Sequence, residues 1–258
     1  MKWVRKGSAY MSDNNQDRNG ESRGGESSIP PRKLQYGIAI AGALIIIVMG
    51  GFYLYRYFEI SNPEYLKKHQ SLGVESLKKG KFEQAVEEFK KAEKARPDNV
   101  VIQYGLATGY LKQNKLDEAV EHFEKALMIA PNRMDIRYSL GVTLQHMGRL
   151  EKALEEYHKI AQVDSNAYQV FNNVGIIQWK LGDKEKAINA LNHVIKIRPD
   201  YYPAYINLAR IYESEGKIDL AVKTYRYVKD KASKQPNAIK FAQFAEGRLA
   251  SLKAVKKQ

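Results

Sequence analysis

From residue 62 onward, apolar residues recur three and four positions apart, the spacing of helices that bury one face. The apolar runs come in pairs. Each pair is divided by Gly80, Asn114, Gly148, Gly182 or Gly216, and three of the pairs are closed by Pro97, Pro131 or Pro199. Gly or Asn after a periodic run marks a helix that ends in a left-handed turn, and Pro stops the second helix. The pattern predicts an all-α region of five helix–turn–helix units over residues 62–235. Asp98, Asn132, Asn166 and Asp200 are predicted N-caps for the following helices, and Asn62-Pro63 opens the first. Residues 237–256 read as a further amphipathic helix, with Ile239, Ala242, Phe244, Leu249 and Leu252 toward one side. Residues 236–258 are therefore expected to form a capping helix and a basic tail.

The N-terminal part has a different pattern. Residues 37–55, GIAIAGALIIIVMGGFYLY, are 19 consecutive uncharged positions between Arg32-Lys33 and Arg56. A helix rising about 1.5 Å per residue over this length matches the hydrocarbon core of a bilayer. Tyr36 at one edge and Tyr53, Tyr55 and Tyr57 at the other suit the two interfaces. The run exceeds a signal-peptide core, and its exit FYLYRYF is too bulky for a peptidase, so residues 36–58 are expected to be an uncleaved transmembrane anchor. Residues 1–35 are polar, Gly/Ser/Asn-rich and aperiodic, the composition of a disordered tail. Met1 and Met11 both remain candidate starts. Arg18, Arg23, Arg32 and Lys33 on one side face Arg56, Lys67 and Lys68 on the other. That near balance leans toward a cytoplasmic N-terminus and an extracytoplasmic (periplasmic) repeat domain.

The repeat has a period of 34 residues without slippage. Ala85, Ala119, Ala153, Ala187 and Ala221 form one column. Phe89, Phe123, Tyr157, Leu191 and Tyr225 form a second, and Leu72, Leu106, Leu140, Val174 and Leu208 a third. Gly73, Ala107, Gly141, Gly175 and Ala209 form a fourth, whose small residues let helices approach. These columns resemble the tetratricopeptide repeat family over residues 66–235. The signature Trp is missing; its slot holds His69, Gln103, Arg137, Phe171 and Tyr205. The third and fifth repeats also lack the terminal Pro.

The resemblance implies a right-handed solenoid whose first helices line a concave groove for a protein or peptide partner. It places Gln70, Val74, Lys78, Tyr104, Thr108, Lys112, Tyr138, Ser139, His146, Asn172, Asn173, Ile176, Trp179, Lys180, Asn207 and Arg210 toward that groove. In some family members an Asn at the position of Asn173 and Asn207 bonds an extended peptide backbone, so peptide contact is expected mainly in the fourth and fifth repeats. The clamp of chaperone-binding members is absent, because Gln70, Val74 and Gly105 occupy its Lys and Asn positions.

Composition narrows the chemistry. No cysteine among 258 residues excludes disulfides, Cys-based zinc or iron–sulfur sites and a thiol nucleophile. His69, His122, His146, His158 and His193 are scattered without a closed ligand set, and no phosphate loop or GxSxG occurs. Neither an enzyme, a cofactor, a metal nor a small-molecule substrate is expected. The formal charge of +13 invites a polyanion partner. Residues 1–35 carry +3 of it and residues 234–258 carry +5, which leaves the array mildly basic. No nucleic-acid partner is therefore expected. The expectation is a membrane-anchored scaffold for assembly of a membrane or cell-envelope complex. A chaperone-like accessory factor for secretion, pilus or polysaccharide biogenesis stays open, and a nucleic-acid-associated protein is the less favoured alternative.

Overall fold

The computed structural model describes residues 32–255; residues 1–31 of the tail expected over 1–35 and the last three residues lie outside them, while residues 32–35 are helical rather than part of a tail. Twelve α-helices, a 3-10 turn and no strand occur among the described residues. Two units are distinct, residues 1–54 and 55–258. The first contains most of α1 (Arg32–Ser61). Within α1, Ile40–Tyr57 is long and apolar enough to cross a membrane, and none of that window is buried. The helix starts before the apolar run and continues past residue 58, because RKLQ and FEIS carry no breaker; Asn62-Pro63 ends it.

The second unit holds five antiparallel hairpins. They are α2 (Pro63–Lys78) with α3 (Phe82–Ala95), α4 (Val100–Lys112) with α5 (Leu116–Ile129), and α6 (Met134–His146) with α7 (Leu150–Val163). Then come α8 (Tyr168–Lys180) with α9 (Lys184–Ile197) and α10 (Tyr202–Ser214) with α11 (Ile218–Ala232). A 3-10 turn at Pro236–Ala238 leads to α12 (Ile239–Val255), which packs on α11 and touches α10 as a cap. The array is the expected solenoid. First helices meet across repeats, α2 with α4 and α8 with α10, and no two second helices meet as closely. The first helices therefore form the tighter, inner layer.

The small-residue columns work as sockets. The Ala85 and Phe89 columns are fully buried in all five repeats. A methyl added at Gly73 would lie 2.9 Å from the Phe89 ring, and one at Gly105, in the next repeat, 2.4 Å from it. Gly141 stands in the same relation to Tyr157 and Gly175 to Leu191. Ring or branched side chain thus packs directly onto backbone, and hairpin and repeat close to van der Waals distance. The turn column has positive φ throughout, including 59° at Asn114, the residue other than Gly that best tolerates it.

Two details depart from the sequence expectation. Asn62 does cap α2, accepting from Glu64 N at 2.9 Å. The caps of the later helices fall one residue beyond Asp98, Asn132, Asn166 and Asp200, at Asn99, Arg133, Ala167 and Tyr201. Asn99 accepts from Val101 N, whereas Asp200 instead accepts from Arg198 Nε at 2.8 Å. The second detail is on α12, where Ala242, Ala245, Leu249 and Leu252 are buried, while Ile239 and Phe244 are exposed. The buried stripe steps by three and four residues, and Phe244, next to Ala245 in sequence, points about 100° away from it.

The vacant Trp slot is filled by pairs 19 or 22 residues apart that tie the two helices of each hairpin. His69 Nδ1 donates to Glu88 Oε2 at 2.5 Å, and Arg137 Nη1 to Glu156 Oε2 at 2.6 Å. Gln103, almost fully buried, donates from Nε2 to Pro97 O at 2.7 Å and Glu93 Oε1 at 2.9 Å. Its Oε1 therefore faces His122 Nδ1 at 2.7 Å, and that nitrogen must carry the proton. In the last two repeats the pairs are rings, Phe171 with His193 and Tyr205 with Tyr227, at centroid separations of 4.4 and 4.8 Å.

Three outcomes follow from this packing. Gly105→Ala is expected to lose about 1–3 kcal/mol of stability by chemical denaturation, because Phe89 has no room to retreat. Asn114→Gly is expected to be tolerated, while Asn114→Ala costs about 1–2 kcal/mol at a positive φ. Burial holds the His122 imidazole below its ordinary 6.5, with Glu93 and Glu121 opposing and Lys125 and Lys90 assisting. Near and below pH 6.5 the unfolded chain takes up a proton that the folded chain resists, so stability falls on acidification. The Tm decrease from neutral pH to about pH 5.5 should be smaller in His122→Asn than in the parent chain.

Candidate partner-binding groove

The inner layer displays one set of side chains per repeat, because residues 34 apart occupy equivalent faces of successive first helices. In the first repeat Gln70, Val74 and Lys78 line a shallow hollow of about 280 Å³ with Ser71 and Glu75. In the second, Tyr104 is half-buried with its ring 5.9 Å from Phe123, and Lys112 is exposed. Thr108 is half-buried, and its hydroxyl donates to Tyr104 O at 2.8 Å. In the third, Tyr138 lies 5.9 Å from Tyr157, Ser139 donates to Asp135 O at 2.9 Å, and His146 is exposed.

The fourth and fifth repeats use their amides within the fold. Asn172 is buried, and its Oδ1 accepts from Asn207 Nδ2 at 3.0 Å. Asn173 Nδ2 donates to Tyr157 Oη at 3.1 Å and to Tyr138 Oη at 3.3 Å. Both of its hydrogens are thereby engaged, and its Oδ1 remains to accept. These bonds cross from one repeat to the next, so the same residues that face the groove also set the register between hairpins. Burial of Tyr157, its largest influence, pushes that phenol well above its ordinary range and keeps it a neutral hydrogen-bonding group. Ile176 and Trp179 are half-buried, and Lys180 and Arg210 are exposed. The Arg210 guanidinium sits over the Trp179 ring, 5.3 Å from its centroid.

The cap enlarges the groove in a way the periodicity did not reveal. Trp179, Arg210, Glu213, Ser214, Phe244 and Arg248 enclose a hollow of about 590 Å³ between α8, α10 and α12. An adjoining hollow of about 430 Å³ is lined by Pro203, Ile206, Asn207, Arg210, Lys240, Phe241 and Phe244. Arg248 pairs with Glu213, which raises its pKa. The available sequence signal was the off-stripe place of Phe244 on α12. No group of three or more His, Asp or Glu able to hold a metal ion occurs among the described residues.

Tetratricopeptide repeat family models match residues 72–133, 110–169, 168–201 and 202–227. No curated protein matches the sequence. Among solved structures, a MamA protein is similar at 24% identity, with 68% of this chain and 96% of that chain covered and a TM-score of 0.62. MamA residues 41-end from Desulfovibrio magneticus RS-1 are similar at 16% identity, with coverage of 68% and 99% and a TM-score of 0.64. MamA of MSR-1 is similar at 20% identity, with coverage of 71% and 97% and a TM-score of 0.55. At these identities the likeness concerns the fold. With 34-residue columns, five socketed hairpins and a capped inner groove all in place, the chain belongs to the tetratricopeptide repeat family.

Proposed function

We propose that this protein is a single-pass membrane-anchored scaffold that docks protein segments along the inner face of its repeats, in assembly of a membrane or cell-envelope complex. The observation that carries this reading is the uncovered inner face of the fourth and fifth repeats. There Trp179 and Arg210 line a hollow with Phe244, offering aromatic area and a cation. The anchor is α1, apolar on all sides and with no buried residue in its apolar window. Anchoring raises the local concentration of whatever the repeats hold, which favours assembly at the membrane. The repeats occupy the extracytoplasmic side, with the basic Arg32-Lys33 pair on the cytoplasmic side of the span.

A photo-crosslinking side chain at Ile176, on the inner layer, should capture partner protein in cells, whereas one at Glu124 on an outer helix should not. Equal capture from both positions, or none from Ile176, overturns groove docking. Trp179→Ala combined with Ile176→Ala should lower partner recovery about tenfold while circular dichroism stays unchanged. The full chain should resist alkaline carbonate extraction from membranes, and protease added from the extracytoplasmic side should digest the repeats. Release by carbonate refutes the anchor, and full protection of the repeats refutes the orientation.

A further inference from the structure

Charge is sorted between the two layers of the solenoid. The five outer helices carry thirteen Lys/Arg and fourteen Asp/Glu, whereas the five inner helices carry seven and four. Five of the twelve outer-helix lysines are paired. On outer helices Lys91, Lys125, Lys159, Lys186 and Lys229 each hold a carboxylate at 2.6–2.8 Å. On inner helices Lys78, Lys112, Lys180 and Arg210 make no ion pair within 4.0 Å among the described residues. The inner helices therefore carry the net positive charge, and these four cations are uncompensated.

From this we infer that the C-terminal end of the groove binds an extended acidic segment of a partner protein, with a carboxylate on Arg210 and an adjacent apolar side chain on Phe244. The inference rests on the docking reading above and names its partner class. In the larger hollow the two guanidiniums differ. Arg248 is occupied by Glu213, while Arg210 is exposed, lies over the Trp179 face and has no ion pair among the described residues. A guanidinium already stacked on a ring loses little freedom when it takes a carboxylate in a two-pronged bond. Beside it Phe244, 44% exposed, provides an apolar ledge, and the Lys240 ammonium stands 5.0 Å from the Phe241 ring centroid. The free cations Lys112, Lys180 and Arg210, in the second, fourth and fifth repeats, suit acidic side chains distributed along an extended chain.

A polynucleotide fits this surface less well. Asn173 has both amide hydrogens engaged and presents only an oxygen, which accepts from a backbone N–H and repels a phosphate.

The test uses the full chain in detergent micelles and a fluorescent peptide of alternating Asp/Glu and Phe/Leu residues. Its counterpart replaces each acid by Asn or Gln, and a fluorescent oligothymidylate of equal charge is the third probe. The acidic peptide should bind about tenfold more tightly than its amide counterpart, weaken with salt, and change Trp179 emission. Arg210→Gln should lower its affinity about tenfold and Phe244→Ala severalfold, while Lys125→Gln on an outer helix leaves it unchanged. Both altered groove side chains are exposed, and unchanged thermal midpoints establish that the variants fold. Equal binding of the amide peptide, indifference to Arg210→Gln, no binding of the acidic peptide, or tighter binding of the oligothymidylate each overturns the inference. If Ile176 still captures a protein in cells under any of these results, the partner class fails while groove docking stands. If capture fails as well, both fail.

Discussion

Close approach of helix to helix, made possible by missing side chains, is the constraint on which this structure depends. The Phe89 ring is wedged between Gly73 of its own repeat and Gly105 of the next, and a single methyl at either position would collide with it. Tyr157 and Leu191 fill the same space against Gly141 and Gly175. A solenoid has no core shared by distant residues, so each such joint bears only on its neighbours and must be made anew in every repeat. The inner face inherits its geometry from these joints. Tyr138 and Asn173, brought together across two repeats by the packing around Tyr157, show how a surface is positioned by what lies beneath it.

Much of the architecture is legible in the sequence because it repeats. The Ala85 and Phe89 columns, fully buried in each hairpin, and the turn column with positive φ all stand out as identical chemistry at a constant step. What does not repeat is harder to read. The helix caps fall one residue past Asp98 and its equivalents, since the choice of cap depends on how the chain leaves the preceding loop, which local composition does not determine. The filling of the Trp slot is invisible to any periodic reading, because His69 finds Glu88 and Gln103 finds His122 only after the hairpin has closed. The inward side of α12 likewise depends on the end face it covers, which places Phe244 in the groove rather than in the packed stripe.

The charge of the chain takes on a different meaning once layers are distinguished. A net figure of +13 describes a sum over tail, array and cap. Within the array the outer surface is close to balanced, and Lys91, Lys125, Lys159 and Lys186 hold carboxylates one turn away. Such pairs contribute little to stability, but they leave a nearly neutral exterior and concentrate the uncompensated field within a concave surface. The field of a groove falls less steeply than that of a convex patch, so the few inner cations act together on an approaching chain.

The filling of the Trp slot also divides the array along its length. In the first three hairpins the slot is bridged by directional polar bonds through His69, Gln103 and Arg137; in the last two it is closed by ring contacts at Phe171 and Tyr205. These two kinds of joint answer differently to temperature, because apolar association weakens on cooling while hydrogen-bonded pairs do not share that dependence. The array thus changes joint along its length, from polar bridges in the first three hairpins to ring pairs beside the cap, and cooling is expected to loosen the ring-paired joints first.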